Sequence, residues 1–189
     1  MRKIFEKIWE LALPYQDLRD DSGHAKIVSK YAAIINKNEK GEIEVVMPAA
    51  ILHDIGWSQL TREERLGINR NTFEIRKKHE NEGVRLAKGI LKEVDYNNSL
   101  VPEILEIISG HDTRIGFFSK NDGIVRDADK LWRYTRRGME VGVKAYKIPI
   151  KDQIESWGNW LDKPGFFYSE SAREIARIEL EKRIKDNQN

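Results

Sequence analysis

Apolar residues recur three and four positions apart along most of the chain, which is the spacing of an amphipathic α-helix. In the first such segment, RKIFEKIWELAL (residues 2–13), Ile4, Ile8 and Leu11 fall on one face. The same spacing predicts further helices over residues 20–37, 48–56, 75–94, 101–112, 122–137, 149–161 and 168–185. No segment alternates apolar and polar residues for long enough to predict a β-strand. We therefore predict an all-α fold.

Proline and glycine mark the expected ends of several helices. Pro48 suits the first turn of a helix that runs to Gly56. Gly138 is expected to end the helix before it. Residues 57–74, rich in Arg, Asn and Thr, predict a connector, and residues 139–148 carry only a weak pattern. The remaining connections are short, which favours one core.

Composition narrows the classes of function. The chain has 189 residues, so we expect a single domain over 1–189. Its 33 basic and 31 acidic residues give a net charge of +2, so binding to nucleic acid is not expected. No apolar run approaches the roughly 20 residues that span a bilayer, and the N-terminal segment does not resemble a signal peptide. We expect a cytoplasmic protein with no membrane contact. The pattern makes no prediction of its oligomeric state.

The candidate chemistry lies in the histidines. The chain has no cysteine, so a tight metal site would have to use histidine and carboxylate ligands. A single histidine on an apolar helix face is usually a hydrogen-bonded core residue. All four histidines of this chain, however, fall on apolar faces of four different predicted helices: His24, His53, His79 and His111. Converging neutral imidazoles would bind a divalent transition metal such as Mn, Fe, Co, Ni or Zn.

The order of these residues resembles a known family. The segment AAILHDIG (49–56) contains a His-Asp doublet, and DADKL (127–131) follows the last histidine. Together with the other three histidines, these motifs resemble the HD-domain superfamily of metal-dependent phosphohydrolases over about residues 20–135. The resemblance implies an all-α helical bundle with the metal site between helices. The C-terminal helices, 149–187, would pack on that core.

The resemblance also implies a ligand set. His24, His53, Asp54 and a later aspartate would bind a first metal ion. Asp129 is the preferred last ligand because it directly precedes Lys130 and Leu131. Asp127 remains an alternative, because it shares a helical face with apolar neighbours.

A second ion is possible. His79 and His111 match the additional histidines of dinuclear members, in which the Asp of the doublet bridges both ions. We therefore expect one or two ions per chain.

The implied activity is hydrolysis of a phosphate ester or anhydride, in a nucleotide or another small phosphorylated metabolite, by metal-activated water. His53, Asp54 and Lys130 are the candidate catalytic residues, and Lys130 would hold the phosphate or order the last ligand. Three arginines in or beside the connector are candidate phosphate contacts, although exposed arginines are more often simply solvated. They are Arg62, Arg65 and Arg76.

Two other functions fit the same residues. Inositol oxygenase and related phosphonate-cleaving oxygenases resemble this family and use the same ligand set around two irons. A metal-stabilised binding module without catalysis is a further hypothesis. Trp57 stands where single-metal nucleotidases of the family have Glu, three residues after the doublet Asp. That difference argues against their deoxynucleotide monophosphatase activity.

Overall fold

The computed structural model describes residues 2–188, and within that range no residue belongs to a β-strand. The all-α prediction is confirmed. Two short 3-10 turns accompany the helices, at Leu13–Tyr15 and Ile55–Gln59. The helices described are α1 (Lys3–Ala12), α2 (His24–Glu39), α3 (Ile43–Leu52), α4 (Arg62–Leu66), α5 (Phe73–Glu93), α6 (Val101–Ile108), α7 (Lys120–Trp132), α8 (Arg136–Tyr146), α9 (Ile150–Leu161) and α10 (Glu170–Asp186).

Helix α3 is the centre of the packing. Every residue from Val45 to Leu52 is buried, because α1, α2, α6 and α7 all pack against this helix. A helix that is apolar on all sides is stable only in such an interior position. Helix α2 also packs along α7, and α5 packs against α6 and the Ile55–Gln59 turn. The ends of these buried helices therefore meet inside the protein.

Helix α3 differs from the prediction at its start. It begins at Ile43, so Pro48 lies inside the helix rather than in its first turn. Proline has no N–H to donate to the carbonyl four residues earlier, which here belongs to Glu44. The hydroxyl of Tyr96 donates to that carbonyl instead, at 2.6 Å. The proline is tolerated because this side chain replaces the missing donor.

The helix also ends earlier than predicted, at Leu52, and Gly56 lies within the 3-10 turn. This turn lies directly against α5. A Cβ atom at Gly56 would collide with the carbonyl oxygen of His79 and the backbone nitrogen of Gly83. Glycine is present because two backbones touch, and not because a helix ends there.

The single helix predicted over 122–137 is interrupted after Trp132. Helix α7 ends at Trp132, and Thr135 caps a new helix, α8, by accepting a hydrogen bond from the N–H of Gly138 at 3.0 Å. Gly138 therefore lies in a first turn instead of ending a helix. The weak segment that follows it continues as α8 to Tyr146.

The predicted connector also contains regular structure. Thr61 and Glu64 form a reciprocal capping box at the start of α4, in which each side chain bonds to the other residue's N–H. The short helix occupies part of the range predicted as irregular.

The C-terminal helices contact the rest of the protein. Helix α9 packs on α8 and α10, and α10 packs on α2 and α7. The contact between α7 and the start of α10 includes hydrogen bonds to Asp127, which are described below. None of the helices within residues 2–188 has the length and apolar composition that a membrane-spanning segment requires.

Candidate metal centre

The four histidines converge in the interior. His24 begins α2, His53 directly follows α3, His79 lies on α5, and His111 lies just beyond α6. The Nε2 atoms of His24 and His53 are 3.1 Å apart, and those of His79 and His111 are 3.3 Å apart. All four side chains are buried. Helices that are distant in sequence thus bring their only imidazoles together.

Asp54 joins the two pairs of histidines. Its Oδ2 atom lies 3.2 Å from Nε2 of His24 and 3.6 Å from Nε2 of His53. Its Oδ1 atom lies 3.3 Å from Nε2 of His111 and 3.5 Å from Nε2 of His79. Each carboxylate oxygen therefore faces a different pair, as a bridging ligand would.

Asp129 adds a third ligand candidate to the pair formed by His24 and His53. Its Oδ1 atom lies 3.3 Å from Nε2 of His24 and 3.8 Å from Nε2 of His53. We call His24, His53 and Asp129 the first group, and Asp54, His79 and His111 the second group. Each group offers three ligand atoms close enough to surround one ion.

The donor atoms fit divalent transition metals. With metal–nitrogen bonds of about 2.0–2.1 Å, neighbouring ligands stand about 2.9–3.4 Å apart in octahedral or tetrahedral coordination. The Nδ1 atoms of His53 and His111 donate to the carbonyls of Ala50 and Ile108, each at 2.9 Å. Those bonds leave the Nε2 lone pairs directed at the centre, where they would repel one another without a shared cation. The residues therefore fit the metal that the sequence implies.

The carboxylates are in the state that metal binding requires. Burial opposes ionisation of Asp54, but His53 and the other histidines around it hold its pKa well below the usual value. Burial likewise opposes ionisation of Asp129, and Arg133 and His24 lower its pKa nevertheless. Both side chains are thus anionic at neutral pH.

The charges of these carboxylates change the pKa values of the neighbouring histidines. Burial disfavours the imidazolium form of His24, but Asp129 and Asp54 outweigh it and raise the pKa to about 10. Burial acts in the same direction on His111, whose pKa is raised to about 9 mainly by Asp54. At His53 burial prevails and lowers the pKa. The centre therefore attracts positive charge, as protons or as metal ions.

The two aspartates of the DADKL segment take different positions. Asp129 lies with the histidines, whereas Asp127 points about 200° away around α7 (two residues at 100° each). Asp127 accepts hydrogen bonds from the N–H groups of Tyr168 and Ser169, each at 2.8 Å, and from the Ser169 hydroxyl at 2.7 Å. It fixes the start of α10 and does not approach the metal centre.

Comparison with known proteins identifies the family. The HD domain model matches residues 22–133, which is more than half of the chain and contains all six ligand candidates. The chain belongs to the HD domain family. The resemblance inferred from the sequence is thereby confirmed.

One solved structure extends the likeness beyond the matched segment. It is the crystal structure of a predicted HD superfamily hydrolase from an uncultured Thermotogales bacterium. The TM-score is 0.64 at 24% sequence identity, over 100% of this chain and 89% of that one. The two proteins share a fold. No curated protein matches the sequence significantly.

Two acidic residues of this HD domain were not identified from the sequence. Asp112 directly follows His111, and its Oδ2 atom lies 3.9 Å from Nε2 of His79. Glu80 follows His79 and is fully buried. Its carboxylate accepts the N–H groups of Asp112 and Thr113, both at 2.9 Å, and so fixes the turn that carries His111. The signal was present, since each acid follows a histidine as Asp54 does.

Trp57 supports the second group. Its indole stacks on the ring of His79, with centroids 4.0 Å apart and planes 12° apart. Its Nε1 atom donates to Oδ1 of Asp54 at 3.1 Å, and the guanidinium of Arg19 lies 4.1 Å from the ring centroid. The residue that departs from the nucleotidase pattern thus contacts two ligand candidates of this HD domain.

A cavity of about 770 Å³ opens onto the metal centre, with His24, Asp54, Asp112 and Asp129 in its wall. Its remaining wall carries six cationic side chains and two further carboxylates, Asp20 and Asp21. The cationic side chains that line it are Arg19, Arg70, Arg76, Arg133, Lys144 and Lys147.

Of the three arginines predicted to contact substrate, one lines the cavity and two do not. Arg76 lines the cavity, whereas Arg62 and Arg65 do not. Lys130 does not line it either. Its Nζ atom donates to the carbonyl of Phe166 and lies 4.8 Å from the ring centroid of Phe117, and burial lowers its pKa to about 8.

Proposed function

We propose that this HD domain protein is a metal-dependent phosphohydrolase, which cleaves a phosphate ester or anhydride in a nucleotide or a related small metabolite. One observation carries the proposal. Two groups of metal-ligand candidates meet at Asp54, and His24, Asp54 and Asp129 of these groups line a cavity that also presents six cationic side chains. A cation-rich cavity suits an anionic substrate. The similar fold of a predicted HD superfamily hydrolase supports the coarser part of the proposal, a hydrolase activity.

The residues have separable roles in this reaction. Divalent ions held by the two groups would lower the pKa of coordinated water and neutralise charge on the phosphoryl group. Asp54 sets the separation of the two groups, since its two oxygens face different histidines. Arg133 and Arg76 are placed to bind phosphate oxygens from the cavity wall. Burial disfavours the anion of Asp112, but His111 and His79 lower its pKa, so its carboxylate is available to accept a proton from water.

The test is a screen for phosphate release. Protein loaded separately with Mn²⁺, Co²⁺, Fe²⁺, Ni²⁺ or Zn²⁺ is incubated with nucleotides and sugar phosphates. We expect metal-dependent release that Asp54→Ala abolishes together with metal binding. Arg76→Gln should raise KM, while Arg62→Gln, outside the cavity, is the matched control. No release from any compound with any metal would overturn the proposal.

A second candidate is the di-iron oxygenase reaction. The observation that favours it is the second group, because Asp54, His79 and His111 complete a six-ligand set with the first group. Tightly bound iron with substrate-dependent oxygen consumption would support it. Phosphate release without oxygen would exclude it as the main activity. If no turnover occurs and His53→Ala unfolds the protein, a metal-stabilised binding module is the better description.

A further inference from the structure

The cavity extends far beyond the metal centre, along helix α8. Gly138, at the start of this helix, contacts the backbone of Trp132, whose ring lies edge-on to His24 with centroids 5.2 Å apart. Residues on the same helix line the cavity from Gly138 through Val141 and on to Lys147. At 1.5 Å per residue, those nine steps cover about 14 Å. The start of α8 thus lies close to Trp132 and the first group, and we call its other end, at Lys144–Lys147, the remote end.

Three of the six cationic side chains of the cavity wall lie at the remote end of α8 or against it. Lys144 and Lys147 project from the last turn of α8 and its C-cap, and neither forms an ion pair with any residue between 2 and 188. Arg70 joins them from the segment between α4 and α5. Its guanidinium donates to the carbonyls of Leu66 and Ala145, both at 3.3 Å. By contrast, Arg133 at the metal end pairs with Asp129 at 3.4 Å.

A single phosphoryl group cannot reach both ends. Lys144 lies six residues beyond Gly138, about 9 Å along the helix axis. The cavity wall also includes Ile68, Val141 and Tyr146, whose apolar surface suits an organic linker more than a chain of phosphates. Ile68 is 93% exposed, so this apolar contact is available to a ligand. A cavity of about 770 Å³ is also larger than one small monophosphate would fill.

We propose that Arg70, Lys144 and Lys147 form a second anion-binding subsite, which selects an elongated substrate with a second phosphate or similar anion. The axial rise from Gly138 to Lys144, about 9 Å, sets the expected scale of the spacing between the two anions, about 10 Å. This inference rests on the proposed function for its first subsite. Two of its three residues, Lys144 and Lys147, lie beyond residues 22–133, the segment that matches the HD domain model, and Arg70 lies within it.

Lysines near a helix C-terminus also stabilise the helix dipole, and that role predicts a different result. It would make Lys144→Gln and Lys147→Gln affect melting temperature and leave ligand binding unchanged. Lys151→Gln provides a matched control, because Lys151 is an exposed lysine outside the cavity.

The experiment uses alkane bisphosphonates of different chain lengths to measure the spacing between the two anion subsites. Their P–C bonds resist hydrolysis, so binding can be measured without turnover. Titration calorimetry on the metal-loaded protein compares bisphosphonates of increasing chain length with monophosphonates of the same length. We expect the tightest binding from the bisphosphonate whose phosphorus atoms span about 10 Å, matching the helix rise. The Lys144→Gln/Lys147→Gln double variant should lose at least about tenfold in that affinity, as expected for two charge-assisted contacts at an open site. Its affinity for monophosphonates should not change.

Two failures are distinguishable. If monophosphonates bind only with metal but a second phosphonate adds no affinity at any length, the subsite is refuted and the proposed function stands. The subsite is refuted as well if the double variant binds the best bisphosphonate as tightly as the Lys151→Gln control. If monophosphonates show no metal-dependent binding, the proposed function fails and this inference fails with it.

Discussion

Asp127 and Asp129 stand two positions apart on α7, and changing each to Asn separates a structural role from a metal-binding role. An amide at 127 keeps one acceptor oxygen, which can serve one of the N–H groups of Tyr168 and Ser169. The other N–H then faces an NH₂ group and loses its acceptor, while the Ser169 hydroxyl can rotate to accept. One lost bond to a charged acceptor costs about 1.5–3 kcal/mol. Burial raises the pKa of Asp127 to about 6, so removing this carboxylate offsets part of that cost.

Urea unfolding of the metal-free protein measures this cost. With a slope near 2 kcal/mol per molar urea, the midpoint of Asp127→Asn should fall by up to about 1 M. Its metal content in native buffer should equal that of the wild type. Asp129→Asn should instead lose at least one ion per chain by elemental analysis, because it removes a carboxylate from the first group. Metal loss in Asp127→Asn with retention in Asp129→Asn would refute the assignment.

Three further predictions concern the supports of the site. Trp57→Phe keeps an aromatic stack but removes the N–H donated to Asp54, so affinity for one of two ions should fall about tenfold in a metal titration. Tyr96→Phe should cost about 1–2 kcal/mol at neutral pH, because the carbonyl left unpaired by the α3 proline loses its donor. Burial raises the pKa of Tyr96 to about 12 in the folded protein. Above about pH 10 this tyrosine ionises in the unfolded state but not in the folded state, so the stability of the wild type falls. The Tyr96→Phe variant should show a shallower decline over the same pH range. In thermal melts, Gly56→Ala should destabilise the protein by several kcal/mol, because the added methyl group would overlap the backbone of α5. Gly89→Ala is the control: there is open space around its α-carbon, so this variant should be more stable by about 0.5–1 kcal/mol.

The metal centre was accessible from the sequence because histidine is scarce in this chain. Four histidines on four apolar helix faces have few reasons to be buried together except a shared ligand. The order of the aspartates was harder to interpret. Both Asp127 and Asp129 lie on α7, and only the packing of that helix against α2 and α10 decides which side faces the histidines. The periodicity of apolar residues predicts which side of a helix is buried, but it does not predict which other helix packs against that side.

The cavity wall could not be predicted in the same way. Arg62 and Arg65 follow the doublet closely in sequence, but α4 and its capping box direct them away from the cavity. Lys144 and Lys147 are distant in sequence and reach it because the chain breaks after Trp132. That break depends on the Thr135 cap, a local bond that the continuous apolar pattern concealed.

Backbone contact, rather than side-chain packing, sets the distance between the turn after the His-Asp doublet and α5. Gly56 and Gly83 meet there with no side chain between them. Such a contact has no rotamers to readjust, so the doublet and His79 keep their spacing whether or not an ion is present. We therefore expect the doublet and His79 to be in place before a metal binds. We expect stepwise release of the two ions to a chelator, with little change in helicity.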